Sequence, residues 1–308
     1  MMILTVCMSP CVDVTVEVDA LNVGKTNVVK RKAISLGGKA LNVAIGVKRL
    51  GEESFATGLM YSENGQMFER LLHSEGVPFS FVWNKGRVRE NYKFIDRRSM
   101  LTEVNDVGGE LESGKEYEIL SAVQTFSAKS SVAVFSGGIP RGVDDSYYGE
   151  LAKACNPKCL KIVDTHGARM FAAVNCGVDL VKPNIEELEN TIGRKILSKE
   201  DMLEACYELV ERGAKRVLLS LGKQGAVITD GNRNFYCKSL NVAVNSTVGA
   251  GDGMVAAAAV KLQQGASLPE ILRAGVAAGT ATVTNVGNVS FTKEKYQELF
   301  STLRVHEI

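Results

Sequence analysis

The sequence has no excess of charge of either sign: 36 Lys and Arg stand against 35 Asp and Glu, a formal net charge of +1. A chain so balanced carries no basic field to gather nucleic acid or an anionic lipid surface. It has no membrane-length apolar run free of charge, so no spanning helix is expected. The opening MMILTVCMSP lacks the basic start and the long apolar stretch of a signal peptide. There is no Cys-x-x-Cys pair. The seven cysteines, at 7, 11, 155, 159, 176, 206 and 237, have no histidine close by in sequence, which favours reduced thiols over zinc or disulfides. The expected compartment is cytoplasmic. Against these absences, 45% hydrophobic and 23% charged residues are the proportions of a globular protein, which excludes disorder as the main state and a coiled-coil rod.

Short β-branched runs alternate with helical patterns. Ile3 to Val6, Phe55 to Met60, Val132 to Phe135, Leu160 to Val163, Leu180 to Val181 and Val217 to Leu221 read as buried strands. Ala40 to Leu50 reads as a helix with Leu41, Ala44 and Ile45 on its apolar face, stopped by Gly51; Met67 to His73 is helical before Gly76. This alternation predicts an α/β fold, a mainly parallel sheet covered by helices on both faces. Two stretches break it. Val12 to Val18 alternates with period two and is followed by Asn27 to Ala33; Tyr92 to Asp96 and Leu101 to Val104 flank the turn at Arg97 to Ser99. Solvated antiparallel strands at about 12–33 and 88–105 predict a small β-sheet lid beside the main sheet. The C-terminal part is helical over Ala256 to Gln264, Leu268 to Val283 and Lys293 to Leu303. With no repeat and no linker, residues 1–308 read as one domain with a lid.

The most informative stretch is NSTVGAGDGMVAAAAV, residues 245 to 260. Gly249, Ala250 and Gly251 expose successive backbone N–H groups where an alanine-rich helix opens, an anion-binding cradle. Asp252 at that cradle is placed either to take a proton from a hydroxyl attacking a phosphoryl group or simply to cap the helix. In SLGGKALNVA, residues 35 to 44, Gly37 and Gly38 allow close backbone approach, and Lys39 and Asn42 would face whatever binds there. The alternative is a tight turn with a solvated lysine. Ala33 and Ala40 exclude a Walker A loop, and MSPCVD after the first strand excludes the classical dinucleotide fingerprint. VKPNIEEL (181 to 188) spaces Asn184 and Glu187 one helical turn apart, so that they either share a metal–water site or merely open a helix after Pro183. FSGGIP (135 to 140) ends another strand with a glycine turn; LSLGKQGAVI (219 to 228) reads as strand–turn–strand, and His166 lies near a strand end.

In their order these motifs resemble the ribokinase-like (PfkB) carbohydrate kinase family over essentially the whole chain. GGKALNVA resembles its first glycine signature and STVGAGDGMVAA its second. The GGK start, VREN (88 to 91) and the STVGAGD wording are most similar to the branch that phosphorylates fructose 1-phosphate or tagatose 6-phosphate. The resemblance implies a three-layer α/β/α fold with a β-sheet lid through which many members dimerise. It implies ATP as co-substrate, Mg2+ as cofactor and a sugar or sugar phosphate as partner. Asp252 would be the catalytic base, and Gly249, Ala250 and Gly251 the anion hole. Asn184 and Glu187 would hold magnesium through water, with Lys182 near the ATP phosphates. Ser220, Gly222, Gly225 and the Asn285 to Gly287 loop would border ATP. Asp13 would grip sugar hydroxyls, Gly38, Lys39 and Asn42 would line the sugar site, and Arg89 would bind the phosphate on the sugar. The implied reaction is fructose 1-phosphate to fructose 1,6-bisphosphate, the alternatives being tagatose 6-phosphate, another sugar or a nucleoside.

The departures fall on the sugar side. Ser9 replaces the asparagine of an Asn-Pro pair, Val28 the arginine of a lid Asn-Arg pair, Ala40 a glycine, and FSGGIP the commoner SGSLP. Lys30 or Arg31 would compensate for Val28, or be solvated lid charges. Glu90 replaces a small polar residue and is expected to repel a dianionic sugar phosphate.

Overall fold

The apolar runs become strands because both of their faces are buried, where β-branched side chains pack well. The structure, a computed structural model, describes residues 2–98, 100–285, 289 and 291–308. The chain begins β1 (Met2–Cys7), β2 (Cys11–Glu17), β3 (Arg31–Gly37), α1 (Lys39–Arg49), β4 (Ser54–Tyr61), α2 (Gln66–Ser74), β5 (Phe79–Asn84), β6 (Arg89–Ile95) and β7 (Leu101–Asn105). It continues α3 (Lys115–Ser127), β8 (Ser130–Ser136), α4 (Tyr147–Ala154), β9 (Leu160–Asp164), α5 (Ala168–Val174), β10 (Leu180–Val181), α6 (Ile185–Ile192) and α7 (Lys199–Arg212). It ends β11 (Val217–Ser220), β12 (Ala226–Thr229), β13 (Asn234–Cys237), α8 (Ala250–Gln263), α9 (Leu268–Val283), α10 (Lys293–Thr302) and β14 (Val305–Glu307).

Among the described residues, ten strands form one sheet in the order β14-β13-β12-β11-β10-β9-β8-β1-β4-β5. From β11 to β5 every pairing is parallel; β12, β13 and β14 extend one edge antiparallel. Successive side chains point to opposite faces, so Leu4 and Val6 join a cluster with Phe68, Ile119 and Leu209, while Ile3 joins Val132 and Ile162 under α8 and α9. Three layers result. β1 lies in the middle, with β4 and β5 added on one side and β8 and β9 on the other. Connections therefore leave in opposite directions there, and the carboxyl ends of β1 and β8 border the crevice where open α/β sheets take their ligands.

The second sheet runs β3-β2-β6-β7, with β2 antiparallel to β3 and parallel to β6. Pairing of Asp13 with Asn91 and of Thr15 with Lys93 places the polar residues of the lid on one face. Val12, Val14 and Val16 take the other. The second lid strand starts at Arg31, not Asn27. The Asn27 side chain instead accepts from the Asn22 backbone N–H at 2.8 Å and donates to the Asn22 carbonyl at 3.0 Å, closing a loop that competes with strand pairing. The helix expected from Ala256 begins at Ala250, because Gly249 adopts φ +80 as its N-cap and the first turn packs between α1 and α9.

Gly225, between β11 and β12, has φ +105, and a Cβ there would come within 2.0 Å of the Cys237 carbonyl oxygen. Gly225→Ala is expected to cost roughly 1–3 kcal/mol for the backbone conformation alone, with the clash added. Urea unfolding checks this: the midpoint falls while the slope stays unchanged.

Candidate active site

The crevice is a cleft of about 1070 Å³, with the lid's Asp13, Arg89 and Asn91 at one end and Leu240, Val244, Met254 and Val276 at the other. Between them the starts of α1, α6 and α8 and the ends of β9 and β10 bring charged side chains together.

Asp252 is 6% exposed, in the first turn of α8. Its carboxylate crosses to α1, where Oδ2 accepts from Asn42 Nδ2 at 2.7 Å. The helices approach closely enough because Gly46 of α1 has no side chain: a Cβ there would lie 2.8 Å from Ala256 Cβ. Burial, and then the like charge of Asp164, push the Asp252 carboxyl from 3.8 up to about 6 against the pull of Lys39, Asn42 and Lys182. A carboxylate poised just below neutrality suits general-base work.

Asp164, at the end of β9, is fully buried. Its Oδ2 accepts from Ser136 Oγ at 2.8 Å and lies 3.5 Å from Lys39 Nζ; its Oδ1 lies 3.2 Å from Lys182 Nζ. Burial opposes its charge, but Lys182 and Lys39 outweigh it and hold the carboxyl below its ordinary value. Lys39 also donates to Glu187 Oε1 at 2.9 Å. Burial lowers the Lys39 pKa, yet Asp164, Glu187 and Asp252 together raise it well above normal, so the amine is a fixed cation. Lys182 is 3% exposed, and its Nζ would lie 3.4 Å from a Cβ on Gly251. The cation thus stands over the start of α8, where Gly249, Ala250 and Gly251 line the cleft. Amides and cation together make an anion cradle. Sequence reasoning passed over Asp164; its signal was a carboxylate directly after the apolar run Leu160–Val163, at a strand's carboxyl end.

Asn184 and Glu187 open α6 as reciprocal caps. Asn184 Oδ1 accepts from the Glu187 N–H at 2.8 Å, and Glu187 Oε2 accepts from the Asn184 N–H at 2.9 Å. Both also line the cleft, as do Ser220, Gly222 and Gly225, so the helix-opening and cleft-facing readings hold together. Asn285 does not line it. Its amide donates to the Ala281 carbonyl and Thr284 Oγ1, satisfying the end of α9, where carbonyls lack helical partners. Gly287 lies outside the described residues.

At the lid end, Gly38 lines the cleft, and Asp13 Oδ1 accepts from Asn91 Nδ2 at 3.2 Å and lies 3.4 Å from Lys93 Nζ. Arg89 Nη1 donates to Asn91 Oδ1 at 3.1 Å. Glu90 does not oppose a phosphate there. Strand alternation turns it to the opposite face, where it accepts from Arg87 at 3.0 Å and Tyr92 at 2.5 Å. Val28 is 78% exposed and outside the cleft; Lys30 pairs with Asp19 and Arg31 with Glu17, so both are lid-surface charges. His166 reaches the cleft edge. Cys7 and Cys11 are buried near the lid end of the cleft, where burial pushes their thiols up to about 12 and about 11, leaving them unreactive.

Among the described residues, no three His, Cys, Asp or Glu side chains converge on a metal by themselves. No described helix is long and apolar enough to cross a membrane.

A cleft at the switch point of a doubly wound sheet, with a buried carboxylate of raised pKa, a glycine-rich helix start and two lysines, has the arrangement of a phosphoryl-transfer enzyme with a small β-sheet beside it. The chain belongs to the pfkB family of carbohydrate kinases, whose description matches residues 4–295. Among its relatives are 1-phosphofructokinase of Borreliella burgdorferi, 29% identical over 100% of this chain and 99% of that one, and D-tagatose-1-phosphate kinase of Bacillus licheniformis, 32% identical over 93% and 94%. The crystal structure of phosphofructokinase-2 from Escherichia coli in complex with substrates and products superposes with a TM-score of 0.87 at 30% identity, over 98% of this chain and 99% of that one. The chain is therefore a phosphotransferase acting on an alcohol group, of three-layer α/β/α fold, with ATP as its co-substrate.

Proposed function

We propose that the chain transfers the γ-phosphoryl group of ATP to fructose 1-phosphate, giving fructose 1,6-bisphosphate. The observation that carries this reading is Asp252: a buried carboxylate brought up to about 6 at the start of α8. It accepts the proton of the attacking hydroxyl. Gly249, Ala250 and Gly251 direct N–H groups at the transferred phosphoryl, and Lys39 and Lys182 hold charge against its oxygens. Asp13 and Asn91 orient the sugar, and Arg89 meets its phosphate. The apolar walls at Leu240, Val244 and Val276 suit the base of the nucleotide. Closing the lid excludes water, the competing acceptor.

Magnesium fits the acidic floor of the cleft, where Asp164 and Glu187 present carboxylates beside Lys182 and Lys39 and Asp164 Oδ1, although ion-paired with Lys182, accepts no aligned hydrogen bond. Glu187 and Asn184 would hold it through water, and it supplies positive charge at the phosphate oxygens. Ile34 and Val104, on the outer face of the lid, are 57% and 55% exposed, which supports a homodimer built on that face. A cytoplasmic location accords with seven free thiols.

A second reading has a specific observation behind it. The B. licheniformis relative is named for tagatose 1-phosphate, the C4 epimer of fructose 1-phosphate, so tagatose 1-phosphate stands as the alternative acceptor ahead of tagatose 6-phosphate. ADP release from Mg-ATP, measured with both 1-phosphates, both 6-phosphates, fructose and ribose, tests the assignment. The expected result is the highest kcat/KM on fructose 1-phosphate; preference for an unphosphorylated sugar would overturn it.

A further inference from the structure

We infer that Arg169 is a specificity-determining residue that holds the phosphate already present on the acceptor, opposite Arg89, and supplies from the core the cation that the lid lacks at Val28. The inference rests on the sugar-phosphate reading above and deepens it.

Three of the cleft's cations are already matched by carboxylates: Lys39 by Glu187 and Asp164, Lys182 by Asp164, and Lys93 by Asp13. The two arginines differ from these: among the described residues Arg89 has no carboxylate partner, and Arg169 has only the half-exposed Asp145 at 3.4 Å. Arg89 donates only to neutral oxygens, Asn91 Oδ1 and the Asp106 carbonyl, and among the described residues no carboxylate lies within ion-pair distance of it. Its Nε is buried with no hydrogen-bond partner. Arg169 repeats the pattern from the other wall. It stands on α5, just past the end of β9, and lines the cleft; its Nε is likewise buried without a hydrogen bond. Among the described residues its one ion pair, with Asp145 at 3.4 Å, is too poorly aligned to satisfy that donor.

Position adds a second, independent observation. A Cβ on Gly138 would lie 3.4 Å from Arg169 Nη1 and 3.8 Å from Ser9 Oγ. Guanidinium, hydroxyl and a residue without a side chain thus meet at one point, beside the carboxyl ends of β1 and β8. Ser9 and the glycine of FSGGIP are two of the departures on the sugar side, and both border Arg169. Val28, another of them, is largely exposed to solvent. Ser9, Gly138 and Val28 form one set: the charge missing from the lid has a replacement in the core, and Gly138 leaves space for it. A phosphate, with three strong acceptors, matches the forked donors of two arginines. Bridging Arg89 of the lid and Arg169 of the core, it ties lid closure to an acceptor that carries phosphate.

The test is Arg169→Gln, with Arg169→Lys as its conservative companion, assayed on fructose 1-phosphate, on fructose and for ATP. The KM for fructose 1-phosphate should rise about 10- to 100-fold, the span expected for losing a charge-assisted contact. The KM for ATP and the weak activity on fructose should stay within about threefold, and Arg169→Lys should recover part of the loss. Inorganic phosphate, as a competitive inhibitor against the sugar phosphate, should lose potency by the same factor. An unchanged KM for fructose 1-phosphate would overturn the inference, and so would equal losses on fructose and ATP, which would make Arg169 structural. If the wild-type enzyme prefers fructose over every sugar phosphate, the sugar-phosphate reading falls and the inference with it. That outcome is read on the wild type alone, so the two failures stay distinct.

Discussion

Asp252→Asn should lower kcat by about 10²–10⁴-fold, the usual contribution of a positioned general base, while the KM for ATP changes little. The substitution keeps size and shape, and an amide oxygen can still accept from Asn42. Only the capacity to take a proton is lost. In the wild type, activity should rise with pH through about 6, because the carboxyl must be ionised to act and burial has brought it there. The residual activity of the variant should lack that limb. Stability should move the other way. The folded-state value lies above the ordinary 3.8, so the ionised form is the one the fold disfavours. The gap up to about 6 corresponds to about 3 kcal/mol at 1.36 kcal/mol per pH unit. The variant, which carries no charge to bury, should therefore melt higher than the wild type above pH 6, and the gain should fade as pH falls towards 4. Melting curves at pH 8 and pH 4.5 check this. Wild-type turnover in the variant would remove Asp252 from the chemistry.

Asp164→Ala should be the most destabilising single change in the cleft, by about 3–5 kcal/mol. Asp164 is the ion-pair partner of Lys182, which is 3% exposed and would be left as a buried, unmatched cation. Lys39 would keep Glu187 and lose less. Ser136→Ala removes only one neutral donor to the same carboxylate and should cost about 1 kcal/mol. Urea unfolding of the two variants separates the effects. A loss for Asp164→Ala no larger than that for Ser136→Ala would show that Lys182 finds solvent or another partner, and that the charge network does not hold the cleft floor.

Much of this was legible along the chain because it depends on short-range pattern. Buried runs such as Val132 to Phe135 and the period-two stretch after Pro10 identify their strands, since side-chain alternation is a local property. The glycines at 249 and 251 mark a helix start able to cradle an anion for a similar reason: backbone N–H groups at a helix start need no distant partner. What was misplaced depended on distant partners or on face. Glu90 reads as a neighbour of Arg89 in sequence, but in a strand neighbours face opposite ways, and only pairing with β2 shows which face is the cleft. Asn285 reads as a ligand-facing loop residue, but the end of α9 takes its amide.

The sequence alone determined the kind of fold and the identity of Asp252 as the residue to test, because periodicity and a contiguous glycine motif are written within a few residues of each other. Tertiary structure alone decided that Asp164, 88 residues before Asp252, shapes its charge, that Asn42 reaches across from another helix to hold it, and that Arg169 stands beside Ser9 and Gly138. The physical reason is that pKa shifts, buried ion pairs and unsatisfied donors are properties of proximity in space. The crossovers of a parallel sheet set that proximity between residues far apart in the chain.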